Sequence, residues 1–183
     1  MRGHCHPAIL GPDNRAGRKT TGNPDKPGMN LCEQARQLDP MTVTKAQEEE
    51  IIATMEQYAM AYKKKDIQAF STIFSPEISG FGSGEDEVIR NHAGLIRQIR
   101  RDMSQADVHA VEFSDRQIFG DGRVAWVTSK STMTFSIGGS AKQTLFGRST
   151  MVLKNTGSRW VIVQLHFSLP FGGQSEGQSF PGA

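Results

Sequence analysis

The segment 148–168, RSTMVLKNTG followed by SRWVIVQLHFS, constrains the fold more than any other part of the chain. Two runs of β-branched and aromatic residues flank Asn155, Thr156 and Gly157, which reads as an antiparallel β-hairpin. The same pattern extends backwards. Runs at 108–119, 124–137, 142–154 and 160–169 are separated by Asp121-Gly122, by Gly138-Gly139 and by the Asn155 turn. Four long strands joined by tight turns form a meander, and a hairpin alone buries too little surface to stand without a covering layer.

That layer precedes the strands. Over 47–65, Ile51, Ile52, Met55, Tyr58, Ala59 and Tyr62 recur at three- and four-residue spacing, with Glu48, Glu49 and Glu50 in the first turn and Lys63, Lys64 and Lys65 in the last. This charge order complements the helix dipole. Asp66 is placed to cap a second, short helix with Ile67, Phe70, Ile73 and Phe74 as its stripe, ended by Pro76. A brief strand over 77–81 leads to Gly82-Ser83-Gly84, where Ser83 is the expected cap of a third helix over 85–103 carrying Val88, His92, Leu95, Ile96, Ile99 and Met103 on one face. The expected class is α+β: a curved antiparallel sheet of four to six strands wrapped around three N-terminal helices.

Composition divides the chain. Residues 1–42 are rich in Gly and Pro with few large apolar side chains, so they cannot bury enough surface to offset the entropy of ordering and read as a disordered leader. The domain is expected over 43–170 and a flexible tail over 171–183. Of 21 basic and 19 acidic side chains, six and four lie in the first forty residues, leaving fifteen of each beyond. A balanced surface presents no general field to a polyanion, so nucleic acid is not an expected partner. The apolar runs are too short for a membrane span, and the expected location is cytoplasmic. Cys5 and Cys32 fall in the leader, and His4, Cys5 and His6 lack the framework of a zinc site, so neither metal nor cofactor is expected.

Few side chains are placed for chemistry. Tyr58 lies on the apolar face of the first helix, as core or as a ligand contact. His92 lies on the inward stripe of the third helix, as a satisfied core imidazole or as a general base of near-neutral pKa. Alternation along the last strand puts Trp160, Ile162, Gln164 and His166 opposite the row Val161, Val163, Leu165 and Phe167. The more apolar row should face the helices, sending Trp160, Ile162, Gln164 and His166 to the outer face as an interface for a second copy. Phe81, Trp126, Ser149, Leu165 and Phe167 complete the expected lining of a pocket with Tyr58 and His92.

The element order, the Tyr58-to-Asp66 helix junction and the strand 160–168 with its single His resemble the SnoaL-like branch of the nuclear-transport-factor-2-like superfamily. The resemblance implies a cystatin-like cone whose mouth holds a ligand, and a homodimer through the sheet face. In ketosteroid isomerases of that superfamily, an oxyanion-hole Tyr stands eight residues before the Asp that opens the second helix, the spacing of Tyr58 and Asp66 here. The isomerase base then falls on Gly82 and its second acid near Ser149, and glycine cannot abstract a proton. The resemblance therefore points to a pocket for a small, mostly apolar organic molecule, serving binding or association as in the association domain of calmodulin-dependent kinase II, rather than to steroid-type isomerisation. The alternative is a cofactor-independent isomerase, cyclase or lyase acting on a carbonyl compound, with Tyr58 polarising the carbonyl and His92 or one of Glu85, Asp86 and Glu87 moving the proton.

Overall fold

The computed structural model describes residues 41–182. Residues 1–40 of the expected leader, and with them the readings of His4, Cys5, His6 and Cys32, lie outside those residues, while the Met41 carbonyl accepts from the Gly120 amide at 3.3 Å.

Helix α1, Lys45–Lys64, opens on a capping box: the Gln47 amide donates to Thr44 Oγ1 at 3.2 Å and the Thr44 amide donates to Gln47 Oε1 at 2.9 Å. It ends at Lys65 in the left-handed conformation, φ 53°, with Lys63 and Lys64 on the last turn. One side buries Ile51, Met55, Ala61 and Tyr62. Helix α2, Ile67–Ile73, begins where Asp66 accepts from the Ala69 amide at 2.9 Å. It stops three residues before Pro76, which lies within strand β1, Phe74–Phe81. The helix ends because the Phe74 backbone is already extended, so Pro76 is not its stop signal.

The third helix is shorter than its periodicity suggests. Residues 82–87 instead form a turn in which the Gly82 amide donates to the Glu87 carbonyl at 2.8 Å and the Gly84 amide to Glu87 Oε2 at 2.9 Å. Val88–Ile89 pair with Phe81 and Gly80 as β2, leaving Val88 exposed. Helix α3, His92–Gln105, is capped by Asn91, which accepts from the Gly94 amide at 2.9 Å, rather than by Ser83.

Strands β3 (Asp107–Asp121), β4 (Val124–Ser136), β5 (Gln143–Asn155) and β6 (Trp160–Ser168) follow the meander. The sheet has six strands in the order β2-β1-β6-β5-β4-β3, and it is mixed, because β1 runs parallel to β6. Gly80 makes this parallel pairing close: a Cβ there would lie 1.7 Å from the Leu165 carbonyl oxygen, and its φ of +149° suits only glycine.

Bulges decide which way the side chains point. In β6, Ile162 pairs with Leu153 and Gln164 with Val152, so Val163 is an extra residue and the alternation changes phase there. Trp160 and Ile162 before the bulge, and Leu165 after it, all turn toward the helices, the first two 3% and 0% exposed. The expected outer row is thereby corrected: Trp160 and Ile162 belong to the core, and only His166 of the four is exposed, with Gln164 half-buried. Strand β3 carries two further irregularities, at His109 and at Asp115–Arg116, where Asp115 has φ 50°. They bend β3, and Val108, Val111, Phe113 and Ile118 all meet the core despite their mixed parity. Among the described residues no helix is long and apolar enough to cross a membrane.

Candidate functional site

Between α1, α3 and the concave face of the sheet lies a cavity of about 280 Å³. Aliphatic and aromatic groups make most of its wall: Leu95 and Ile99 from α3, Val111 and Phe113 from β3, Met133 and Phe135 from β4, Met151 from β5, Leu165 and Phe167 from β6. Gly147 leaves room for one of these rings, since a Cβ at that position would stand 2.4 Å from Phe167 Cε2.

Polar groups enter at few points. Helix α3 places Leu95, Ile99 and Asp102 on one face by its three- and four-residue spacing, so a carboxyl follows two apolar side chains into the cavity. The Tyr62 hydroxyl donates to Asp102 Oδ2 at 3.2 Å. Burial, and then the neighbouring Glu87 carboxylate, push the Asp102 carboxyl from 3.8 up to about 6, against the Tyr62 donor and the Arg101 charge, which pull it down. Tyr58 lies edge-on to Tyr62, with ring centroids 5.2 Å apart, and burial holds both phenols above their ordinary range.

Beside this cluster, one guanidinium serves three carboxylates. Arg101 bonds Asp86, holds Glu87 at 3.0 Å through its second amino group, and reaches Asp102 only at 3.9 Å. Glu87 itself lines the cavity, with Gly82 and Ser83. On the sheet wall, Ser149 shares a 2.8 Å hydrogen bond with Ser129, both buried. Ser131, 5% exposed and also on the wall, has no hydrogen-bond partner for its hydroxyl.

Of the side chains expected in a pocket, Tyr58, Ser149, Leu165 and Phe167 line this cavity, and Phe81, His92 and Trp126 do not. Phe81 is half exposed and its ring meets that of His166, 6.2 Å away. Its pairing with His166 puts it on the outer side of the sheet. His92 is the first residue of α3 instead of a mid-helix residue, and it sits half-buried at the N-terminal end of the helix, outside the cavity lining. Strand β4 sends its odd-numbered residues inward from Ala125 to Phe135, which leaves Trp126 outside, stacked on Phe119 at 6.1 Å. Sequence patterning alone does not mark Asp102 or Ser131 as site residues. The signal for Asp102 is its place in the repeat Leu95, Ile99, Asp102, Ala106, where a charged residue interrupts an apolar stripe. Among the described residues no three His, Cys, Asp or Glu are grouped to hold a metal ion.

A family model described as a SnoaL-like domain matches residues 51–172. Among solved structures, a nuclear transport factor 2 (NTF2-like) superfamily protein from Salmonella enterica serovar Typhimurium superposes with a TM-score of 0.64 at 19% identity, covering 75% of this chain and 100% of that one. A candidate dehydratase of the NTF2-like family from Streptomyces avermitilis gives 0.62 at 14% identity, covering 70% and 100%. A candidate calcium/calmodulin-dependent protein kinase II association domain from Xanthomonas campestris gives 0.63 at 14% identity, covering 73% and 96%. At these identities the likenesses speak for the fold. No curated protein matches the chain.

Proposed function

The chain belongs to the SnoaL-like domain family, and from that premise we propose that its cone holds a small, mostly apolar organic molecule carrying one polar group. The observation that carries this reading is the pairing of an apolar-walled cavity with the Asp102 carboxyl and the Tyr62 hydroxyl at one place on its lining. The test is titration of the full chain with a neutral aromatic alcohol and a neutral aromatic ketone, followed by NMR. Binding that is lost in Val111→Phe, a substitution that fills the cavity without burying a polar atom, supports the proposal. An absence of binding by either compound at millimolar concentration removes it.

A second reading is favoured by Asp102 alone. A carboxyl held at about 6, in contact with a tyrosine hydroxyl and on the lining of an apolar-walled cavity, has the acidity a general acid or base needs near neutral pH. On this reading the domain is a cofactor-independent isomerase, cyclase or lyase of a carbonyl compound, with Asp102 moving the proton in place of His92. The candidate dehydratase among the similar structures supports chemistry on this fold. Steroid-type isomerisation draws no support, because Gly82 brings no titratable group to the base position. Incorporation of deuterium at the carbon next to the carbonyl of a bound ketone, abolished in Asp102→Asn, is the expected outcome. Loss of exchange in His92→Ala with full exchange in Asp102→Asn contradicts it.

The outer sheet face supports a homodimer. It exposes Phe119, stacked on the half-buried Trp126, and further along the same face Phe146, apolar side chains of the kind found at interfaces, and an association domain is among the structural neighbours.

A further inference from the structure

We propose that the cavity selects an amine: a small apolar molecule whose ammonium group pairs with the Asp102 carboxylate while its body rests on the aromatic wall. This rests on the reading of the cone as a ligand pocket and adds the charge of the ligand.

The argument begins with a charge deficit. Asp86, Glu87 and Asp102 surround a single guanidinium, Arg101, whose two close contacts go to Asp86 and Glu87. Asp102 is left with the Tyr62 hydroxyl at 3.2 Å and the edge of the guanidinium at 3.9 Å. When all three acids are ionised, the cluster carries two uncompensated negative charges, and of the two members that line the cavity, Glu87 and Asp102, it is Asp102 that lacks a close contact with the guanidinium.

The rest of the lining offers no cation. Helix α1 contributes Tyr58 and Tyr62, the turn before β2 contributes Glu87, and α3 adds Gln98 and Gln105 to Asp102. Strands β3 to β6 contribute no titratable group. Lys65, at the end of α1, is engaged elsewhere, donating to the Met103 carbonyl at 2.9 Å and pairing with Asp107 at 2.6 Å. A carboxylate ligand would therefore meet like charge in a low-dielectric space, which is strongly unfavourable. An ammonium ligand supplies the missing positive charge, and the faces of Tyr58, Tyr62, Phe113 and Phe167 attract a cation through their ring quadrupoles.

An independent observation points to a ligand in the same space. The Ser131 hydroxyl is buried on the cavity wall with no partner, and a polar atom in that state is destabilising unless something completes it. A ligand hydrogen-bonding group besides the ammonium would complete Ser131.

The acidity of Asp102 sets the pH dependence. With its carboxyl at about 6, it is ionised at pH 8 and protonated at pH 5, whereas an alkylammonium, with a pKa near that of lysine at about 10.4, stays charged at both. Amine affinity should therefore be full above pH 7 and fall as pH drops through 6, and binding near pH 6 should release a proton.

The experiment compares phenethylamine, phenethyl alcohol and phenylacetate, which differ chiefly in the charge of one end, by calorimetry on the full chain at pH 8 and pH 5. The expected result is a preference for the amine over the alcohol of about tenfold or more at pH 8, shrinking at pH 5, with no binding of phenylacetate. Asp102→Asn, which keeps a hydrogen-bonding group beside Tyr62, should abolish the preference and its pH dependence. Should that variant not fold, proton release by the wild type, measured in two buffers of different ionisation enthalpy, decides instead. Amine and alcohol binding within twofold of each other at pH 8 overturns the amine proposal and leaves the pocket standing. Binding by none of the three, joined to the failure of the neutral ketone, removes both.

Discussion

The Trp160 indole donates to Glu50 Oε2 at 2.9 Å, joining the first residue of β6 to α1 across 110 positions of sequence. The ring is 3% exposed and belongs to the core with Ile51, Met55 and Ile162. Trp160→Ala should therefore destabilise the isolated fold by about 3–5 kcal/mol, as for other large aromatic truncations. Trp160→Phe, which keeps a ring but loses the donor to an exposed carboxylate, should lose less. Urea unfolding of both variants checks this. A Trp160→Ala protein that keeps its stability and loses only self-association would restore the residue to an interface.

Asp102 should make stability depend on pH in a direction opposite to most carboxylates. Its folded value, about 6, lies above the ordinary 3.8, so between these values the folded state binds more protons than the unfolded one. Stability from this group is full below about pH 4 and is lost as pH rises through 6. Two units correspond to roughly 3 kcal/mol at most, and partial solvent contact brings the expected loss to about 1–2 kcal/mol. Asp102→Asn should thus be more stable than the wild type at pH 8 and gain nothing at pH 4. Equal effects of the substitution at both pH values would contradict the burial assigned to this carboxyl.

Two neighbouring serines should respond in opposite ways. Ser149→Ala breaks the buried bond to Ser129 and should destabilise by about 1 kcal/mol or more, because the Ser129 hydroxyl loses its partner. Ser131→Ala removes a hydroxyl that has none, so the ligand-free protein should lose no stability and gain up to about 1 kcal/mol. If Ser131 contacts the ligand, affinity should fall by about 0.5–1.5 kcal/mol in the same variant. Chemical denaturation with and without ligand separates these effects.

The outer face of the sheet should carry self-association. Phe119 and Trp126 are cross-strand partners stacked on that face, and Trp126→Lys replaces this aromatic pair with a charge beside Phe119. Sedimentation of the full chain at micromolar concentration should show a dimer that this variant dissociates. A wild-type monomer at that concentration contradicts the homodimer.

What could be read from the sequence was local. The capping of α2 by Asp66, and the four strands of the meander with their turns, follow from interactions spanning four residues or from hydrophobic periodicity. Local signals erred where two local solutions competed, as when the turn at 82–87 took residues that the helical pattern claimed and left Asn91 to cap α3. The facing of the side chains belongs to the tertiary structure. A strand alternates only while its register holds, and the extra Val163 reversed the roles of the two rows in half of β6, bringing Trp160 and Ile162 inside together with Leu165. The acidity of Asp102 is of the same kind. Its place on the stripe of α3 is written in the spacing, but the burial, the Glu87 charge and the Tyr62 donor that set its protonation come from segments 15 to 40 residues away, and only their packing makes one carboxyl differ from its neighbours.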